Sequence, residues 1–246
     1  MEAENWESCS SDGDLGAQDL RDEEDACYSS LGSAAKLQFR KASSKARWDS
    51  EIGMAEVVER KGQIWTTTGI VRSGKLYCSI EETVFLMEVG ALVLLGEDGG
   101  GLSLQSVYEK LAEEKNGCCW ELYEVYRHLK SLGYIVGRHG VPWSLKSVKG
   151  DDVAIEDKFI TEKLSTLDLN ELTPAFDVYL PNGKFRKSSP GDPSYVLCIT
   201  RENPPSRAEV EVVEKQIGHI PVKFCHVENG RVSFFSFSRV DLPVLP

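Results

Sequence analysis

Histidine is scarce in this sequence, cysteine lacks any ligand spacing, and neither a long apolar run nor a phosphate-cradling glycine loop is present. Each absence removes a class of chemistry. The four histidines, His128, His139, His219 and His226, are scattered, as are the seven cysteines (Cys9, Cys27, Cys78, Cys118, Cys119, Cys198 and Cys225). An odd cysteine count without a Cys-x-x-Cys pair excludes a zinc or disulfide framework, so the thiols read as reduced, partly buried small hydrophobes. There is no Gly-x-x-x-x-Gly-Lys-Ser/Thr loop, Gly-x-Ser-x-Gly elbow or His-Glu-x-x-His pair, and no cofactor is expected. The longest nearly uncharged apolar run, residues 84–95, is interrupted by Glu88 and Gly90 and is too short to span a bilayer. The N-terminus opens acidic, with no basic or apolar signal region, so residence in the cytosol or nucleus is expected.

The net charge of −11 argues against a nucleic-acid partner only until it is divided along the chain. Residues 1–25 hold ten acids against Arg21 alone, which leaves −2 for residues 26–246. Residues 1–35, acidic and poor in apolar side chains, read as a disordered tail. Residues 36–48 then carry Lys36, Arg40, Lys41, Lys45 and Arg47 with Phe39, Trp48 and no acid. That mixture suits an RNA backbone, a nuclear-import signal or an interaction with the acidic tail.

From residue 52 to 77 short strands are expected around Gly62, Gly69 and Ser73-Gly74, with Trp65 buried in a β setting. Lys61, Arg72 and Lys75 fall at the turns, exposed to phosphates. Ser79 and Glu82 form a capping box that opens a helix ending at Gly90. Ser103 caps a second helix with Leu104, Val107, Tyr108 and Leu111 on one stripe, and Leu122, Val125, Tyr126 and Leu129 repeat that spacing in a third. A strand at residues 134–136 follows. Helix, turn, helix and strand in this order suggest a winged-helix-like domain over residues 36–139. Residues 140–173 lack a sustained period and read as a linker.

Residues 174–246 are expected to form a small α/β domain. In residues 176–180, Phe176, Val178 and Leu180 alternate with Asp177 and Tyr179 as in a half-buried strand, and residues 195–199 form a second strand. The turn pairs Asn182-Gly183, Pro190-Gly191 and Asp192-Pro193 lie between them beside Lys184, Arg186 and Lys187. Ser206 and Glu209 cap a helix bearing Val210, Val213 and Ile217. A hairpin is expected around Glu228-Asn229-Gly230. Its last strand shows Phe234 on one face and Phe235 and Phe237 on the other, a surplus that suits a partner surface or a strand covered on both sides. The fold class is therefore mixed α/β.

The ordered runs KGQIWTTTG (61–69), KLYCSIEETVFLMEVGALVLL (75–95), LSLQSVYEKL (102–111), RHLKSLGYIVGR (127–138), FDVYLP (176–181) and FRKSSPGDPSYVL (185–197) resemble the tRNA-splicing endonuclease family, specifically its noncatalytic subunit of the Sen fifty-four type. The resemblance spans most of residues 47–139 and 174–246. It implies a structural subunit that works with catalytic subunits on intron-containing precursor tRNA, in the nucleus. It also implies a tRNA-intron-endonuclease-like C-terminal domain. Catalytic subunits of this family cut RNA without metal through a tyrosine, a histidine and a lysine, with the histidine soon after the YLPNGK region. Here that segment reads FRKSSP, and no histidine falls between His139 and His219, so no catalytic residue is assigned. The expected RNA contacts are Arg40, Lys41, Lys45, Arg47, Lys61, Arg72, Lys184, Arg186 and Lys187. The expected partner contacts are Phe234, Phe235, Phe237 and, from the family's acidic docking loop, Glu228. Two other classes stay open: a winged-helix nucleic-acid-binding regulator using the third helix, and an RNA endonuclease with residual activity built on His219 or His226.

Overall fold

Two five-stranded sheets organise the computed structural model, which describes residues 43–145, 172–181, 183–200 and 204–237. The first sheet comprises β1 (Ser44–Asp49), β2 (Met54–Glu59), β3 (Ile70–Arg72), β4 (Lys75–Cys78) and β5 (Leu92–Leu95), ordered β3-β4-β2-β1-β5. Helix α1 (Ile80–Glu88) carries the chain from β4 across to β5, which lies parallel to β1. Strand β1 takes up the end of the basic segment that composition offered to an RNA backbone, an import signal or the acidic tail. Its alternation explains why: Ser44, Ala46 and Trp48 are buried while Lys45 and Arg47 face out.

Trp65 is buried as expected, but in a 3-10 turn (Ile64–Thr66) rather than a strand. Its indole Nε1 donates to Ser44 Oγ at 3.0 Å, and the Lys61 amide donates to the same oxygen at 2.9 Å. One hydroxyl therefore ties the turn to β1, overriding the β preference of the aromatic and threonine run.

The capping boxes form. Glu82 of α1 accepts from the Ser79 amide at 3.0 Å, and Ser103 Oγ accepts from the Ser106 amide at 3.1 Å to open α2 (Leu104–Ala112). Helix α3 (Trp120–Ser131) buries Leu122 through Tyr126 and Leu129, so it runs through the core. Its other face, with Trp120, Glu121, Arg127, His128 and Ser131, stays exposed.

The strand after α3, β6 (Ile135–Arg138), joins the second sheet. There it pairs antiparallel with β7 (Pro174–Tyr179). The order is β10-β9-β8-β7-β6, with β8 (Tyr195–Thr200), β9 (Val222–Glu228) and β10 (Arg231–Phe235); helix α4 (Arg207–Ile217) makes the parallel crossover from β8 to β9. Asn229 and Gly230 both take positive φ, 49° and 74°, the conformation a two-residue hairpin turn requires.

One hydrophobic core runs from Ala46, Ile80 and Leu94 through Tyr126 and Leu129 to Phe176, Val178 and Leu197. On the opposite face of the second sheet, Cys198 and Phe224 pack with Val210 and Val213 of α4. Tyr179 turns onto a third cluster with Trp143 and Phe185, while Leu180, expected in the core, is 55% exposed. Residues 141–145, expected in the linker, are built into the fold. The Val71 amide donates to the Trp143 carbonyl at 2.8 Å, and the Leu145 amide donates to the Val71 carbonyl at 3.2 Å. Trp143 lies so close over Gly137 that a Cβ there would sit 2.7 Å from the indole. Among the described residues no helix is long and apolar enough to cross a membrane, and no group of three His, Cys, Asp or Glu side chains is placed to hold a metal.

Candidate nucleic-acid interface

The nine expected RNA contacts fall into separate groups. Arg40 and Lys41 lie outside the described residues. Lys45 and Arg47 project from the outer face of β1, where neighbouring carboxylates match their charge. Glu59 bridges both Lys45, at 3.1 Å, and Lys61, at 3.0 Å, and those two lysines hold its carboxyl below the ordinary 4.5. Arg47 stands opposite Glu56, which in turn pairs with Lys75 at 3.0 Å. This face is a lattice of alternating charge, and its exposed ion pairs add little stability.

Arg72 is buried rather than exposed at a turn. Its guanidinium donates to the Val71 carbonyl at 2.8 Å and to the Pro142 carbonyl at 2.7 Å. The reason is the strand-like run of residues 141–145 laid along β3, which covers the side chain and supplies its acceptor.

Lys184, Arg186 and Lys187 sit in the loop between β7 and β8. Phe185 anchors that loop, with its ring 5.2 Å from Tyr179 and 5.1 Å from Trp143. With the aromatic residue buried at 185, Lys184 and Arg186 are carried outward on either side. Lys187 turns back toward the first sheet, where its ammonium donates to the Thr68 carbonyl at 2.5 Å. Burial pushes its amine down from 10.5 to about 8, against the attraction of Glu82.

Thr68 is a meeting point that sequence reasoning missed. Lys130, at the end of α3, reaches its hydroxyl at 3.5 Å and is also held below its ordinary value by burial. Arg60 is close enough to Lys187 to oppose its charge. A signal for Lys130 was present in the sequence: it lies four residues after Tyr126 and so extends a buried stripe.

A buried charge pair is made by Glu81, the neighbour of Glu82 in α1. Arg138 clasps Glu81 with Nε at 2.7 Å and Nη2 at 2.5 Å. Burial pushes the Glu81 carboxyl up, but the Arg138 charge and hydrogen bonds outweigh it and leave it below 4.5.

At the far edge of the second sheet, Phe234 is 38% and Phe237 45% exposed. Phe234 leans on the His128 ring at 5.6 Å, whereas Phe235 stacks on Phe224 at 5.8 Å with Phe237 closing the group at 5.1 Å from Phe224. Glu228 is exposed at the hairpin, opposite Arg231. Of the two histidines considered for catalysis, His219 faces Asp192 at 3.3 Å in an exposed pair, and His226 Nδ1 lies 3.2 Å from the Thr200 carbonyl. His139 meets Asp177 at 2.7 Å, joining the end of β6 to β7.

Residues 29–95 match the family described as "tRNA-splicing endonuclease subunit sen54 N-term". The match ends on the last residue of β5 and takes in all five strands of the first sheet together with α1. The chain is 36% identical over 93 residues to the mouse protein named "tRNA-splicing endonuclease subunit Sen54", an alignment covering 38% of this chain and 17% of that relative. It is 31% identical over 134 residues to the Schizosaccharomyces pombe protein named "Probable tRNA-splicing endonuclease subunit sen54", covering 53% of this chain and 33% of that relative. The chain therefore spans a third or less of the length of these two relatives. Its first sheet lies within the residues that match this N-terminal family.

Proposed function

We propose that this chain is a noncatalytic structural subunit of a tRNA-splicing endonuclease, scaffolding catalytic subunits and holding intron-containing precursor tRNA for them to cut. One observation carries the reading. The β7–β8 loop, where the resemblance places a catalytic histidine in active subunits, here carries Lys184, Arg186 and Lys187, and Lys187 docks it on Thr68, within the residues that match the N-terminal family. Cations on a tethered loop suit recognition of an RNA backbone by shape, which requires positioned charge and no proton transfer. The exposed phenylalanines at the β10 edge suit a second subunit, because an edge strand offers unpaired backbone groups beside an apolar contact.

The test is affinity purification of the tagged chain, with identification of co-purifying proteins and cleavage of an intron-containing precursor tRNA by the recovered complex. Co-purified endonuclease subunits and cleavage that survives His219→Ala with His226→Ala are expected. A solitary chain without cleavage, or cleavage abolished by either histidine change, refutes the proposal. The nucleus is the proposed place of action, and fluorescence of the tagged chain in cells checks it.

A further inference from the structure

Two ammonium groups converge on one threonine, and among the described residues no carboxylate is bound to either. Lys187 reaches Thr68 from the β7–β8 loop and Lys130 reaches it from the end of α3, while Arg60 adds a third positive charge from the end of β2. Thr68 itself is fully buried. The acid facing this group is Glu82 of α1, and both its oxygens are engaged elsewhere: Oε1 accepts from the Gly69 amide at 2.7 Å and Oε2 from the Ser79 amide at 3.0 Å. From β4, Cys78 faces the same place with its thiol pushed well above its ordinary value by burial, so it supplies no compensating charge. The neighbouring Glu81 is neutralised by Arg138.

We infer that Lys130 and Lys187, which meet at Thr68, form a binding site for a single phosphate group, presented by the RNA backbone. This rests on the proposed role in holding precursor tRNA. Like charges brought together under partial burial raise the energy of the folded chain, and an anion seated among them reverses the sign of each interaction. A phosphodiester fits the chemistry, because its oxygens accept from both ammoniums at once. The depressed amine of Lys187 agrees with a site whose charge is unsatisfied until an anion arrives. Lys184 and Arg186, on the outer side of the same loop, extend the positive surface along which a strand would enter.

The test acylates the full-length chain with a limiting amine reagent and reads each lysine by mass spectrometry, with and without inorganic phosphate or precursor tRNA. Near saturation, about ten-fold protection of Lys130 and Lys187 by either probe is expected, with Lys75 unchanged. Protection by neither probe overturns the site. Protection by inorganic phosphate but not by RNA overturns the RNA backbone as its source. A second measurement separates this failure from failure of the functional reading. If the wild-type chain binds precursor tRNA, the variant carrying Lys130→Gln and Lys187→Gln is expected to bind with a salt dependence shallower by about one. Equal slopes overturn the phosphate site and leave the function standing. A wild-type chain that binds no RNA while phosphate still protects both lysines overturns the function and leaves an anion site.

Discussion

Replacing Glu81 by alanine tests whether the ion pair beneath the interface holds the two sheets together. Glu81 lies in the first turn of α1 and Arg138 at the end of β6, and their side chains are only 2% and 11% exposed. With the carboxylate gone, Arg138 keeps one acceptor across the fold, the Asn116 carbonyl at 3.2 Å. A buried guanidinium stripped of its counter-ion costs about 3–5 kcal/mol. Against a total stability of about 5–15 kcal/mol this is about a fifth or more. In urea unfolding followed by tryptophan fluorescence, the midpoint is expected to fall by about 1–2 M. The double variant Glu81→Leu with Arg138→Met should recover most of the loss, because it buries no unpaired charge. The pH dependence supplies an independent readout. Since the Glu81 carboxyl is held below 4.5, its contribution is present above that value and is lost as pH falls through the lower folded value. Wild-type stability should therefore drop more steeply below pH 4.5 than that of Glu81→Ala. A single variant within about 1 kcal/mol of wild type would refute the reasoning.

Lys187 gives a slope of the same sign in a higher pH window, because burial disfavours its charged form. Its folded amine titrates at about 8 against an ordinary 10.5, so across that window the unfolded chain holds a proton the folded chain has released, and stability rises with pH. The rise is at most about 3 kcal/mol, and unfolding curves at a series of pH values should show it flattened in Lys187→Met; identical slopes would sink the assignment. Trp143→Ala empties the cluster shared with Tyr179 and Phe185 and should cost about 3–5 kcal/mol in urea unfolding, whereas a free linker at residue 143 would lose almost nothing. Changing Phe234 and Phe237 together to serine should release the catalytic partner in a pull-down at a stability cost of less than about 3 kcal/mol, since both rings are partly exposed; a retained partner would remove the β10 edge from the interface.

What could be read from the sequence was whatever depends on near neighbours. The capping boxes of α1 and α4, the stripes of α2 and α3 and the Asn229-Gly230 turn are local patterns, and each formed where its residues stand. Strand β1 was hidden because Lys45 and Arg47 dominate the composition of a segment whose alternate residues are core. The placement of β6 was hidden because strand pairing is decided between β6 and β7, across residues 139–173, and no local pattern records it. The same limit governs the candidate interface. Lys187 looks like any solvated lysine, and the buried stripe that marks Lys130 does not name its partner, until the fold brings both to Thr68. Composition also suggested equal availability for all the expected cations, whereas Glu56 and Glu59 balance those on β1 and Pro142 accepts from Arg72.

The topology of the second sheet separates the expected partner contacts into two ends. Strand β8 runs parallel to β9, so the start of β8, and with it the β7–β8 loop carrying Lys184, Arg186 and Lys187, lies at the start of β9. Strand β10 runs antiparallel to β9 and brings Phe235 opposite Phe224, so its end lies at that same end of the sheet. Glu228 closes β9 at the other end, about 20 Å away at the rise of a strand. From β7 to β10 is three strand spacings, or about 14 Å. A subunit seated on the phenylalanine end of β10 therefore sits beside RNA held by the β7–β8 loop, while one seated on Glu228 does not. A photoreactive amino acid at position 237 should capture both the catalytic partner and, when precursor tRNA is added, labelled RNA; at position 228 it should capture protein alone. RNA captured from 228 and not from 237 would mean that the loop cations and the β10 edge serve different molecules, and the scaffold reading would lose its geometry.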